Sequence, residues 1–166
     1  WVLAEGSDSS GMTRSIPIEK ILDDCIIAWA MNGEALRPEQ GYPARLVVPG
    51  WEGNMWVKWI RRLEFGDKPY MTREETSKYT DLLTSGKARM FTWVMDAKSV
   101  ITSPSPEKPI LSRGLHQLRG LAWSGRGKIK RVDVSIDGGR NWKTAQLHSP
   151  VLSKSLSRFT LPFEWN

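Results

Sequence analysis

Two cations and two tight turns share twenty residues of the chain. Gly41-Tyr-Pro-Ala-Arg45-Leu-Val-Val-Pro-Gly50 runs into Trp-Glu-Gly-Asn-Met-Trp-Val-Lys58-Trp-Ile60. Arg45 opens a short apolar run that Pro49-Gly50 ends, and Gly53-Asn54 turns the chain into a second run, Val57 to Ile60. Glycine turns leave backbone N–H groups open, and a guanidinium fork beside a lysine point charge suits phosphate or another compact anion. The same spacing also describes a hairpin with solvated cations at its ends. Metal chemistry on cysteine and histidine is not supported. Cys25 is the single cysteine, in an apolar run that suits a structural thiol, while His116 and His148 each lack a second ligand nearby.

Several elements must position these groups. Residues 1–13 are rich in glycine, serine and aspartate and read as a loop, in which Asp8 suits an Asx turn or a helix cap. Ser15-Ile-Pro-Ile-Glu-Lys-Ile-Leu22 reads as a capped helix with Pro17 in its first turn, ending near Asp23-Asp24. Ile26 to Met31 predicts a buried strand, and Asn32-Gly33 a hairpin turn. Arg61 to Phe65 alternates as a strand leading out of the core. Gly66 to Gly86 is a long connection with few apolar anchors, of the kind that carries function or moves.

The Pro-rich stretch Ser103 to Pro109 predicts a stiff extended segment near a domain boundary placed at Ala97. Beyond it, short strands are spaced as in a sandwich, with Asp137-Gly138-Gly139 turning between the middle pair. Val132, Val134 and Ile136 fall on one face of their strand. Trp123 and Trp142 are expected in its core. The fold class read from the chain is mixed α/β (α+β) over residues 1–97, followed by part of an all-β immunoglobulin-like sandwich over 98–166.

Net charge +6 comes from 24 basic and 18 acidic residues without a basic block, which argues against nucleic acid and fits an anionic cofactor, an acidic substrate or an acidic partner. No long apolar run marks a transmembrane helix. A chain beginning at Trp1 and ending at Phe163-Glu-Trp-Asn166 is expected to be an interior piece of a longer protein.

Gly41 to Gly50 with Val57-Lys-Trp-Ile60 resembles the signature of the sulfite oxidase family of molybdenum enzymes. Gly120-Leu-Ala-Trp-Ser-Gly125 and Arg131-Val-Asp-Val-Ser-Ile-Asp-Gly-Gly-Arg-Asn-Trp142 resemble the same family's dimerisation domain. Within the family, Thr72 to Leu83 and Val100 to Pro109 resemble the molybdenum subunits of bacterial sulfane dehydrogenases. The resemblance implies the later part of a molybdopterin-binding domain joined to the first part of a dimerisation domain. It further implies molybdopterin with molybdenum as cofactor, a sulfur substrate, a c-type cytochrome as acceptor, a sulfur-carrier protein as partner, a homodimer and a periplasmic location.

By resemblance, Asp8, Gln40, Arg45 and Lys58 contact the cofactor, and Tyr79 is the active-site tyrosine, whose phenol suits hydrogen bonding to an oxo or hydroxo ligand. Either Lys154 or Arg158 adds a cation to the substrate pocket. Gln40 stands where the family often has histidine, and Met55 where many sulfite oxidases have arginine, so cationic character is lost at both. The cysteine that ligates molybdenum in the family belongs to an upstream segment and does not match Cys25. A sulfite dehydrogenase of the same family and a non-catalytic β-sandwich interaction module are the other readings of the chain.

Overall fold

A computed structural model describes residues 1–165, which divide into two compact units, the first spanning Trp1–Val94 and the second starting at Met95. In the first, Val2–Gly6 is the central strand of a three-stranded antiparallel sheet, between Thr13–Ile16 and Ile60–Phe65. Residues expected as loop thus form the middle of a sheet. All five residues of Val2–Gly6 are buried, and a strand covered on both faces need not alternate, so no periodic signal marks it. Arg61 and Arg62 of the edge strand clasp the Glu5 carboxylate. These hydrogen bonds, that from Arg61 foremost, hold Glu5 below the ordinary carboxylate range despite its burial.

Ser15 and Ile16 belong to a strand, and the helix occupies Ile18–Asp24. Pro17 separates the two with φ −57° and ψ 141°, an extended conformation that fits a helix boundary. Ala4, Ile16, Leu46, Val48, Met55 and Val57 form the core, against which Ile21 and Cys25 pack. The strand Ile26–Ala28 is not buried: it pairs with Arg45–Val47 in a two-stranded sheet, leaving Ile26 59% and nearby Trp29 72% exposed. Nothing among the described residues covers that face. Asn32 and Gly33, with φ of 54° and 84°, make the expected turn between Ala30–Met31 and Glu34–Ala35.

The long connection after Gly66 holds a π-helical turn, Glu74–Lys78, and a small hairpin, Asp81–Leu82 with Ala88–Arg89. It is anchored through polar groups rather than apolar ones, since both Glu74 and Glu75 are buried. The run Met90 to Met95 contributes one bridge, Val94 to Trp51, and an aromatic cluster in which Trp51 and Trp93 stack at 4.9 Å with Trp1 and Phe91 tilted against Trp93.

In the second unit, four antiparallel strands lie in the order Lys98–Ser103, Gly114–Trp123, Ser157–Trp165, Gln146–Leu147. A two-stranded ladder, Asp133–Val134 with Lys143–Thr144, shares their core of Leu118, Ala122, Val134, Ala145, Phe159, Leu161 and Phe163. The unit is mostly strand, as expected.

Three local expectations change. Ser105 and Lys108 exchange backbone hydrogen bonds across a reverse turn, so the Pro-rich stretch folds back. Trp142 is 63% exposed because its indole donates to the Gly139 carbonyl and lies over the turn. Ile136, past the end of its two-residue strand, is 39% exposed. Trp123 is partly buried, and its indole donates to the Met95 sulfur at 3.0 Å. Gly120 is required by packing, since a Cβ there would lie 2.6 Å from the Val100 carbonyl oxygen and overlap the Phe159 ring.

Candidate cofactor-binding site

Two glycines bring the candidate residues together. A Cβ on Gly41 would lie 3.0 Å from the Lys58 Cβ and 3.1 Å from the Arg45 Cβ, so the Cβ atoms from which the two cationic side chains start lie within the sum of those distances of each other. Gly41 itself has φ 111°, left-handed territory, and ends the 3-10 turn Pro38–Gln40. A Cβ on Gly6 would lie 2.8 Å from the Lys58 carbonyl oxygen and 2.9 Å from the Asp8 Oδ1. Close backbone approaches at Gly6 and Gly41 therefore bring Asp8 and Arg45 each near Lys58.

Arg45 spends its fork locally. Its Nη1 donates to the Gln40 carbonyl at 2.9 Å and its Nη2 to the Trp56 carbonyl at 3.0 Å, tying the two turns together. Its Nε is buried without an acceptor among the described residues. Burial lowers its pKa from the ordinary arginine value. Lys58 donates through Nζ to the Glu39 carbonyl at 2.8 Å and lies 4.7 Å from the centre of the Trp59 ring, which leaves ammonium donors for a ligand. Gln40 accepts from the Arg37 N–H through Oε1, which commits its side-chain oxygen to capping the turn and leaves the amide NH2 as its donor. Met55 is fully buried in the core, so it offers the site no polar group.

The Asp8 carboxylate accepts from the Ser10 hydroxyl and, at 3.1 Å, from the Met12 N–H. These bonds, that from Ser10 foremost, hold it below the ordinary aspartate range, so it stands ionised at neutral pH and offers further lone pairs to an N–H donor. Beside it, Ser7, Tyr42, Pro43, Trp59 and Ile60 line an open depression of about 500 Å³. Trp59 adopts φ 50°, a strained conformation for a bulky side chain. Its carbonyl accepts from the Ser7 N–H and its indole donates to the Pro38 carbonyl, which hold it there. Tyr42 and Trp59 were not singled out from the sequence, and only the strained backbone at Trp59 marks it.

Tyr79 sits in a second group. Its ring faces the Arg14 guanidinium at 4.7 Å, and its carbonyl accepts from the Thr92 hydroxyl at 3.0 Å. The hairpin Val2–Gly6 with Thr13–Ile16 links the two groups, since Asp8 lies at its tip and Arg14 in its second arm. Lys154 and Arg158 both belong to the second unit. Lys154 has φ 56° in a turn, where its N–H donates to the Gly127 carbonyl, and Arg158 is an exposed strand residue. Among the described residues, no group of three or more His, Cys, Asp and Glu side chains could hold a metal ion, and no helix is long and apolar enough to cross a membrane.

The residues present fit an anionic, pterin-bearing group: an orphaned buried guanidinium N–H, a lysine with donors to spare, a glycine cradle between them, and an ionised carboxylate at an open depression. Comparison with known proteins agrees. Residues 1–74 match the oxidoreductase molybdopterin binding domain, and residues 89–158 match the Mo-co oxidoreductase dimerisation domain. Mitochondrial sulfite oxidase of Drosophila melanogaster is 34% identical over 165 residues, 88% of this chain and 29% of its own length. The NADPH nitrate reductase of Mycosarcoma maydis is 35% identical over 153 residues, 78% of this chain and 16% of its own. The sulfane dehydrogenase SoxCD of Paracoccus pantotrophus superposes with a TM-score of 0.95 at 62% identity, over 100% of this chain and 43% of the SoxCD chain. The present chain thus spans less than half the length of each of these relatives, and it belongs to the sulfite oxidase family of molybdopterin oxidoreductases.

Proposed function

We propose that the whole protein oxidises sulfane sulfur held on a carrier protein and passes the electrons to a c-type cytochrome. The single observation that carries this reading is the 62% identity to a sulfane dehydrogenase along the entire chain. In this reading the protein is a periplasmic homodimer joined through its second unit, part of an immunoglobulin-like sandwich. The molybdenum centre, when bound, supplies the redox chemistry at the sulfur. Arg45 and Lys58 neutralise the cofactor's anionic end, with the free Arg45 Nε and the remaining Lys58 N–H groups as donors and the Gln40 amide beside them. Asp8 accepts from pterin N–H groups.

The Tyr79 phenol holds and releases a proton at its hydroxyl on the substrate side. A basic side chain of the second unit, Lys154 or Arg158, adds attraction for an anionic substrate. Sulfite oxidation is the second reading, favoured by the 34% identity to a sulfite oxidase.

Tyr79→Phe in the full-length holoenzyme tests the site. Deleting the hydroxyl alone should lower kcat on the order of 100-fold while cofactor content and melting temperature stay at the wild-type values. Normal turnover at saturating and limiting substrate would remove Tyr79 from the mechanism.

A further inference from the structure

Arg14 and Glu75 are both wholly buried, one on the hairpin that carries Asp8, the other on the π-helical turn that ends at Tyr79. Their pairing is bidentate: Nε to Oε1 at 2.8 Å and Nη2 to Oε2 at 3.2 Å. Glu75 Oε1 also accepts from the Ser15 N–H at 3.0 Å, and Arg14 Nη1 donates to Asn54 Oδ1. Every bond in this set is directional, and a planar fork allows the guanidinium one orientation. The Cζ of that guanidinium lies over the Tyr79 ring, 4.7 Å from its centre, within cation–π range.

An ion pair buried this completely gains little stability over an apolar pair of the same volume, so stability alone does not account for it. What it adds is orientation. The backbone of Tyr79 is fixed on either side, its N–H donating to the Glu74 carbonyl at 2.9 Å and its carbonyl accepting from Thr92. Those bonds leave the side-chain torsions open, and the Arg14 guanidinium lies over the ring that those torsions turn. Thr13 reinforces the docking by donating to Glu74 Oε2 at 2.9 Å.

We propose that Arg14, clamped by Glu75, is a positioning residue for the reaction, fixing the ring of Tyr79 in the orientation its hydroxyl needs. This rests on the reading of Tyr79 as the active-site phenol, and the two fail in different ways. The experiment compares full-length holoenzyme carrying Arg14→Met, Arg14→Lys, Tyr79→Phe and Arg14→Met/Tyr79→Phe. Turnover is measured with whichever of carrier-bound sulfane sulfur and sulfite the wild type oxidises, and hydrogen exchange is followed over residues 72–80.

Arg14→Met should lower kcat by about 10- to 100-fold and speed exchange in 72–80. Arg14→Lys, which keeps the charge and loses the fork, should recover only part of the rate. In the Tyr79→Phe background the same substitution should change kcat by less than about twofold, because the group it positions is gone. A full multiplicative loss in that background would overturn the proposal while leaving Tyr79 its role. Should Tyr79→Phe alone turn over normally, the reading of Tyr79 and the proposal fall together. Arg14→Met/Glu75→Leu guards against misfolding, since an apolar pair should restore thermal stability yet stay as slow as Arg14→Met. Wild-type turnover in that double variant would also contradict the proposal.

Discussion

Arg45 shows how one side chain can serve structure and ligand together. Two of its donors hold the carbonyls of Gln40 and Trp56, and the orphaned Nε remains for an anion. Lysine in its place keeps the charge but cannot bridge both carbonyls, so Arg45→Lys should cost about 1–2 kcal/mol of stability and lower the pterin content of the full-length protein. Melting temperature and fluorimetric pterin assay check the two effects separately. Arg14 makes the contrasting case, wholly buried and with an acceptor on each of its three guanidinium nitrogens. Removing it alone strands Glu75 in the interior, and Arg14→Met should cost roughly 3–5 kcal/mol in a denaturant titration. Of these two arginines the sequence marks only Arg45, because its turns and its neighbouring lysine lie within reach of one motif. The acidic partner of Arg14 is 61 residues away, and no local pattern links such positions.

Among the elements, those with chemically specific turns were the legible ones. Asn32-Gly33 could be read directly, as could the turn at Asp137-Gly138-Gly139, where the Asp137 carboxylate accepts from the N–H groups of Arg140 and Asn141, the Asn141 amide and the Ser135 hydroxyl. These bonds, those from Asn141 foremost, depress its pKa to about 2. A carboxylate with a depressed folded-state pKa adds stability that is present above its unfolded value near 3.8 and is lost as pH falls through about 2. Asp137→Asn should therefore flatten the acid dependence of unfolding between those limits, measured by thermal melts across the window. Unchanged acid dependence would show that the turn contributes nothing there.

Strands without a periodic signal were illegible. Val2–Gly6 hides as a loop because both its faces are covered, and Trp142 was placed in the core because its motif does not show that the indole folds back on its own turn. Gly120 marks a tight element contact. Gly120→Ala should destabilise the second unit by about 1–3 kcal/mol, since the Phe159 ring and the Val100 carbonyl leave no room for a methyl.

For the whole molecule, the first unit presents an uncovered apolar face at Ile26, Ile27 and Trp29 and an open depression beside Asp8. Family membership was legible because several motifs recur in one order along the chain, and the gathering of Arg45 with Lys58 follows from the turns between them. We propose that the whole protein acts on carrier-bound sulfane sulfur. The most direct test is cytochrome c reduction by the full-length, molybdenum-loaded protein, with carrier-bound sulfane sulfur and free sulfite offered side by side. The expected kcat/KM is at least about tenfold higher with the carrier-bound substrate, a difference of roughly 1.4 kcal/mol in transition-state binding. Equal or faster turnover of free sulfite, or no reduction with either substrate, would contradict it.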